Sequence, residues 1–396
     1  MRRRTLVALA LALATLLALL LLDGAISLLV LPRTWRPAPP FGAITNPEQR
    51  RWLEEQLASA AADPATGLGR FDPVLGWSFR PLAVGRGGTV HINSRGWRGA
   101  REYAAEPAPG VVRIVACGDS FTFGEEVADE DAWTARLESG WPDVEVINLG
   151  VGGYGTDQAF LRFQAEDVGA RIDVVLIGLL LENIGRNVNR YRPLWFPRTP
   201  SPAAKPRFLR EDGTLRLLEL PFATQAEFVA AVASGEVCAR LAEGEFWSDE
   251  PVPAWLAWSG IARLVGMRRA YAARELPRLW RDVDGEPFRV TLALLAAFHR
   301  HAIEARGARL APVLVFPTRE DLAGLAETGE RTWNPLLDAL AAQGIDCLDL
   351  SASLADADRA RAPGDPPLYG ASHLSPRGNE VVARAVRAWV EPRLGE

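Results

Sequence analysis

Cysteine, lysine and histidine are all scarce in this chain. Three cysteines (Cys117, Cys238, Cys347) among 396 residues cannot build a disulfide framework. No Cys-x-x-Cys pair or His/Cys cluster is present to hold a metal, so none is expected. Cys117 and Cys347 lie in short apolar runs, where a thiol behaves as a small hydrophobe, and free buried thiols are the expectation. One lysine, Lys205, stands against 43 arginines. Such a skew reflects genome composition, and no arginine is singled out by its type. A formal charge of −5 leaves no basic footprint for nucleic acid.

Apolar residues, by contrast, are plentiful at 48%, enough to bury a large core and to exclude a mainly disordered chain. Their densest run is at the amino terminus. Arg2, Arg3 and Arg4 precede Leu6–Leu22, and after Asp23 and Gly24 the run resumes to Leu31 and stops at Pro32. A helix over residues 5–31 would be roughly 40 Å long, enough to cross a ~30 Å hydrocarbon core with some tilt. Cleavage after Ala25 would put Asp23 at the −3 position, so residues 1–31 read as an uncleaved signal anchor. The arginines then stay cytoplasmic and the remainder is exported across a bacterial inner membrane, with Asp23 toward the outer interface.

Residues 32–70, rich in proline and polar groups with one helix from Pro47 to about Ala62, read as a juxtamembrane stalk. From Val111 the pattern changes. Five short apolar runs (Val111–Cys117, Val144–Leu149, Asp173–Gly178, Ala311–Phe316, Ile345–Leu348) suit strands buried on both faces. Helical patterns lie between them, at Trp133–Ser139, Asp157–Val168, Leu292–Arg306 and Trp333–Gln343. Ser375 and Pro376 then cap and open a last helix to about Glu391. The alternation predicts an α/β fold, a doubly wound and mainly parallel five-stranded sheet, over residues 71–396.

An insertion at about 185–288 interrupts it. This span carries two helical patterns, Thr224–Glu243 and Ile261–Trp280, and is too long for a crossover. Arginines 263, 268, 269, 274, 278 and 281 form either a solvated basic face or a surface for anionic lipid or glycan. Trp195, Trp247, Trp255 and Trp258 either pack this subdomain or line a sugar-binding wall.

Ligands of open α/β sheets bind beyond the carboxyl ends of the strands. There the sequence places Gly118-Asp119-Ser120, the glycine-rich stretch 148–156, the stretch 179–187 with Glu182 and Asn183, and the stretch 369–379 with His373. A serine, glycine-rich backbone, an amide and a histidine are the parts of an acyl-transfer site. Of four histidines, His299 and His301 fall within a helical run, His91 precedes the fold, and His373 alone falls at this edge. The glycines at 150–155 lack the G-x-G-x-x-G spacing, which counts against a nucleotide binder and implies no cofactor.

With these blocks the chain resembles the SGNH/GDSL esterases and acyltransferases. It looks like a membrane-anchored bacterial branch that opens with stretches similar to residues 71–77 and 92–99. The resemblance runs from about Phe71 to Trp389 outside the insertion, and GlyAspSerPheThrPheGly at 118–124 is its most specific block. It implies Ser120 as nucleophile, His373 as general base, and Gly153 and Asn183 as oxyanion donors, although the usual Asn-Asp pair reads Glu182-Asn183. The aspartate that such proteins carry two or three residues before the histidine is replaced by Gly370 and Ala371. Three readings stay open: Asp365, Glu182 or a backbone carbonyl orients the imidazole; a Ser–His dyad suffices; or the site only binds. The implied function is an anchored serine esterase or O-acyltransferase acting on acylated, chiefly acetylated, envelope or secreted polysaccharide. The alternative is a non-catalytic protein that binds glycan or scaffolds an assembly complex.

Overall fold

The computed structural model describes residues 2–30, 42–58, 67–247 and 252–395. The chain groups into two compact units. One comprises residues 63–190, 204–225 and 276–396, the other residues 1–62, 191–203 and 226–275.

The first unit is built on five parallel strands: β1 Val112–Cys117, β2 Val144–Asn148, β3 Val174–Leu180, β4 Val313–Phe316 and β5 Cys347–Asp349. Their spatial order is β2-β1-β3-β4-β5. All five coincide with predicted runs. β3 extends two residues past Gly178 because Leu179 and Leu180 continue in register with Val315 and Phe316. Every residue of β2, β3 and β4 is buried, as continuous apolar strands covered by helices on both faces must be. The chain leaves β1 for β2 on one side and returns to β3 on the other. This reversal makes the carboxyl end of β1 the topological switch point, beyond which ligands of such sheets bind.

The amino-terminal part of this unit, read from the sequence only as motif, is a small antiparallel hairpin, Gly69–Asp72 with Gly76–Phe79. Residues 204–225, read as insertion, belong to the α/β unit. They form the hairpin Arg207–Glu211/Thr214–Leu218, and the sole lysine, Lys205, is buried there in an ion pair with Asp157. Arg207 likewise pairs with Glu286.

The second unit holds most of the predicted insertion helices, each broken in two, with the last piece, Leu276–Arg281, falling in the first unit. Gly235, at φ +81°, separates Gln225–Ser234 from Val237–Arg240, and Ala273–Glu275 separate Gly260–Ala272 from Leu276–Arg281. The amino-terminal helix spans Arg2–Ala25 and continues in wider π-type turns to Val30; it is long and apolar enough to cross a membrane. The stalk helix is Pro47–Ala58; its expected extension to Ala62 and the proline-rich stretch 36–40 lie outside the described residues. Trp195 and Trp247 are buried with ring centroids 4.8 Å apart, so these two pack this unit and line no binding wall.

One buried ion pair fastens β1 to β2. Arg113 Nε lies 2.6 Å from Glu145 Oε1, and the guanidinium also donates to the carbonyls of Ala104, Ala105 and Val168. Removing one partner strands the other charge, so Arg113→Met should cost about 3–5 kcal/mol of stability, read as a lowered urea midpoint.

Candidate functional site

Ser120 begins a single helical turn, Ser120–Phe123, directly after β1. Three neighbours hold that turn. The Asp119 carboxylate caps it by accepting the Phe121 N–H at 2.8 Å. Asn148, last residue of β2, donates Nδ2 to the Thr122 carbonyl (2.8 Å) and to Thr134 Oγ1 (2.9 Å). Trp133 Nε1 donates to the Phe121 carbonyl at 3.1 Å. The serine itself is 5% exposed at the mouth of this frame.

The glycine loop after β2 brings Gly153 in a left-handed conformation, φ +81°, which an L side chain strains to adopt. The carbonyl of the Gly152–Gly153 peptide accepts Trp77 Nε1 at 2.9 Å. Trp77 is in turn held by the Tyr154 hydroxyl, which donates to its carbonyl at 2.6 Å. A hydrogen bond on a peptide carbonyl fixes the plane of that peptide and strengthens its N–H as a donor. Residues 71–77, conspicuous in the sequence without an assigned task, thereby support the candidate oxyanion loop.

After β3, Glu182 and Asn183 have different partners. Asn183 is buried and donates Nδ2 to Asp119 Oδ2 at 2.8 Å. Nδ2 has that one partner among the described residues, and an amide nitrogen carries two hydrogens. Glu182 turns to Arg186, 3.2 Å away. Burial pushes the Asp119 carboxyl above its ordinary range, against the pull of Arg186, the Phe121 N–H and Asn183.

His373 sits in a loop closed on itself, with Gly370 N–H donating to the His373 carbonyl at 2.7 Å. The loop is tied to the end of β4, where the Tyr369 hydroxyl donates to the Pro317 carbonyl (2.8 Å) and Arg319 to the Gly370 carbonyl (2.5 Å). The His373 ring lies 5.3 Å from that of Phe121, the residue after Ser120. The two loops thus meet at one rim, although no direct hydrogen bond joins Ser120 Oγ to His373 among the described residues.

The partner of the imidazole is a residue the sequence reading did not name. His373 Nδ1 lies 3.0 Å from Glu126 Oε1. The same carboxylate accepts the N–H groups of Ala371 (2.8 Å) and Ser372 (3.0 Å) and the Ser372 hydroxyl (2.7 Å). Asp365, named as candidate orienter, is elsewhere: its carboxylate accepts the Ala362 N–H at 3.0 Å and stands 4.0 Å from Arg377. The reason for the exchange is spatial. A Cβ on Gly370 would fall 2.5 Å from Glu126 Oε2, so the room that an acid at that position needs is already filled by Glu126. Glu126 reaches it from a left-handed backbone, φ +71°, a strained conformation for a non-glycine residue. Arg98 steadies the loop, donating Nη2 to the Val127 carbonyl at 3.0 Å and pairing with Asp129 at 2.8 Å. The only sequence trace of this arrangement is the pair Glu125-Glu126 following Gly124, set against the lack of an acid at 370 and 371.

No family model and no curated protein matches the chain. Solved structures to which it is similar include a lipolytic G-D-S-L family protein from Veillonella parvula DSM 2008 (13% identity, 70% of this chain, 97% of that one, TM-score 0.32). Others are a lipase/acylhydrolase from Enterococcus faecalis (14%, 72% and 97%, TM-score 0.33) and an acetyl xylan esterase from Geobacillus stearothermophilus (12%, 72% and 97%, TM-score 0.36). Likenesses this distant carry nothing about activity, and the site is judged on its own geometry.

Burial pushes the Glu126 carboxyl up, but the bonds from His373, Ser372 and the two backbone N–H groups outweigh it and hold the pKa at about 2, below the ordinary 4.5. A carboxyl depressed on folding adds stability that is complete above its unfolded value and lost as pH falls. Glu126→Gln should therefore flatten the part of the melting-temperature profile lying between about pH 4.5 and pH 2.

Proposed function

We propose that this protein is a membrane-anchored serine esterase or O-acyltransferase of SGNH/GDSL type, working through Ser120, His373 and Glu126. The observation that carries the reading is the Glu126–His373 pair beside the Ser120 turn. With Nδ1–H directed at a carboxylate, the imidazole presents Nε2 as the basic nitrogen toward substrate.

In this mechanism Ser120 Oγ attacks the ester carbonyl while its proton passes to His373 Nε2. Glu126 stabilises the resulting imidazolium. The negative oxygen of the tetrahedral intermediate takes hydrogen bonds from the N–H groups of Ser120 and Gly153 and from Asn183 Nδ2, each donor typically worth a few kcal/mol. Collapse breaks the ester C–O bond, and the imidazolium returns the proton to the leaving alkoxide. The acyl group then passes from Ser120 to water or to a sugar hydroxyl deprotonated by the same imidazole. The missing acid before His373 was the ground for a binding-only reading, and Glu126 supplies a counterpart for it. Exported acylated polysaccharide, chiefly acetylated, fits a catalytic unit tethered by a helix long and apolar enough to cross a membrane.

Wild-type protein should be labelled by a fluorophosphonate and hydrolyse p-nitrophenyl acetate. Ser120→Ala should abolish labelling, and His373→Ala should reduce it. Loss of the orienting acid typically costs up to ~10⁴ in rate, so Glu126→Gln should lower kcat by about 10³–10⁴, while Asp365→Asn leaves it unchanged. A folded wild type that is neither labelled nor active would overturn the proposal. Trp77→Phe, which removes the indole N–H behind the Gly153 peptide together with half of the ring that packs on Tyr154, should lower kcat about tenfold with little change in KM.

A further inference from the structure

The anchor helix contains one acidic residue, Asp23, within an otherwise apolar candidate span Arg3–Leu28 of mean hydropathy 2.8. A lone carboxylate there is costly unless it is partnered. In this structure it is fully engaged by the start of the helix Gly260–Ala272. Ser259 Oγ donates to Asp23 Oδ1 at 2.6 Å, Ile261 N–H to the same oxygen at 2.9 Å, and Gly260 N–H to Oδ2 at 3.1 Å. A carboxylate at a helix N-terminus meets unpaired N–H groups and the positive end of the dipole. The approach is close: a Cβ on Gly260 would lie 2.5 Å from Ser27 Oγ, and Arg263 donates to that same hydroxyl at 3.3 Å.

This contact fixes a depth. Twenty residues separate Arg3 from Asp23, roughly 30 Å of helix, about the thickness of a hydrocarbon core. With the arginines in one headgroup layer, Asp23 and everything hydrogen-bonded to it lie at the opposite boundary. Trp255 is 73% and Trp258 67% exposed, one turn before the capped helix. The helix itself exposes Val265, Arg268 and Arg269 on a single face at i, i+3 and i+4. It holds three arginines and no acid, and Arg268 and Arg269 form no ion pair among the described residues.

We propose that residues 255–271 are an interfacial surface seated on the anionic outer face of the bilayer that the anchor crosses. Trp255 and Trp258 sit at the boundary between headgroups and acyl chains, and Arg268 and Arg269 pair with lipid phosphates. Exposed tryptophan is disfavoured in water and favoured at that boundary, where guanidinium groups meet lipid phosphates. Continuity with the anchor helix, through Asp23, identifies the occupant as lipid. The inference rests on residues 3–28 crossing the membrane and is independent of the esterase reading.

The test uses the full chain in nanodiscs of phosphatidylcholine and phosphatidylglycerol, with and without bromine on the acyl chains. Brominated lipid should quench a share of wild-type tryptophan emission that is missing from Trp255→Phe/Trp258→Phe. That share should fall by half or more in pure phosphatidylcholine or in Arg268→Gln/Arg269→Gln. Equal fractional quenching in wild type and the tryptophan double variant overturns the proposal. So does quenching of that share by aqueous iodide as strong as for free tryptophan. Release of the chain from membranes by alkaline carbonate removes the anchor and the proposal with it, while leaving fluorophosphonate labelling of Ser120 as a separate result.

Discussion

The carboxylate of Glu126 ties two loops of the candidate site together across 247 residues of sequence. One loop leaves β1 and carries Ser120; the other precedes the last helix and carries His373. Two backbone N–H groups, one hydroxyl and one imidazole converge on its two oxygens. The arrangement requires a left-handed residue at 126 and empty space at 370. A strained backbone persists only where its surroundings hold it, and here Arg98, through the Val127 carbonyl, and the His373 loop do so.

Much of the machinery is supported from outside the parallel sheet. The segment ahead of β1 supplies Trp77 to the Gly152 carbonyl and Arg98 to the Val127 carbonyl, one behind the candidate oxyanion loop and one behind the acid. Hairpin and loop side chains thereby position groups that belong to β1 and β2. This division explains how conformationally demanding residues, Gly153 and Glu126, stand at defined angles on loops and not on rigid strands.

Carboxylates in unfavourable surroundings are handled alike in both units. Asp23 in the apolar amino-terminal helix and Glu126 at the candidate site each gather backbone N–H groups and a serine hydroxyl, to which the His373 imidazole adds a partner for Glu126. Backbone donors are fixed in direction and lose little entropy on binding, so they hold a charge where a long flexible arginine would pay more to do so.

By itself the sequence determined the α/β class, all five strands of the sheet, the long apolar amino-terminal helix, and the loops at strand ends that hold Ser120, Gly153, Asn183 and His373. Those features are written in local pattern: continuous apolar runs, helix caps and glycine-rich turns at strand ends, each legible within about ten residues. The breaks in the insertion helices were missed because tertiary packing, not periodicity, decides where a weakly amphipathic helix stops. Only the tertiary structure decided which acid faces His373. That choice depends on the distance between residues 126 and 370 and on a positive φ at a glutamate, and neither quantity leaves a periodicity for the sequence to display. The partner of Asp23, more than two hundred residues away, is hidden for the same reason.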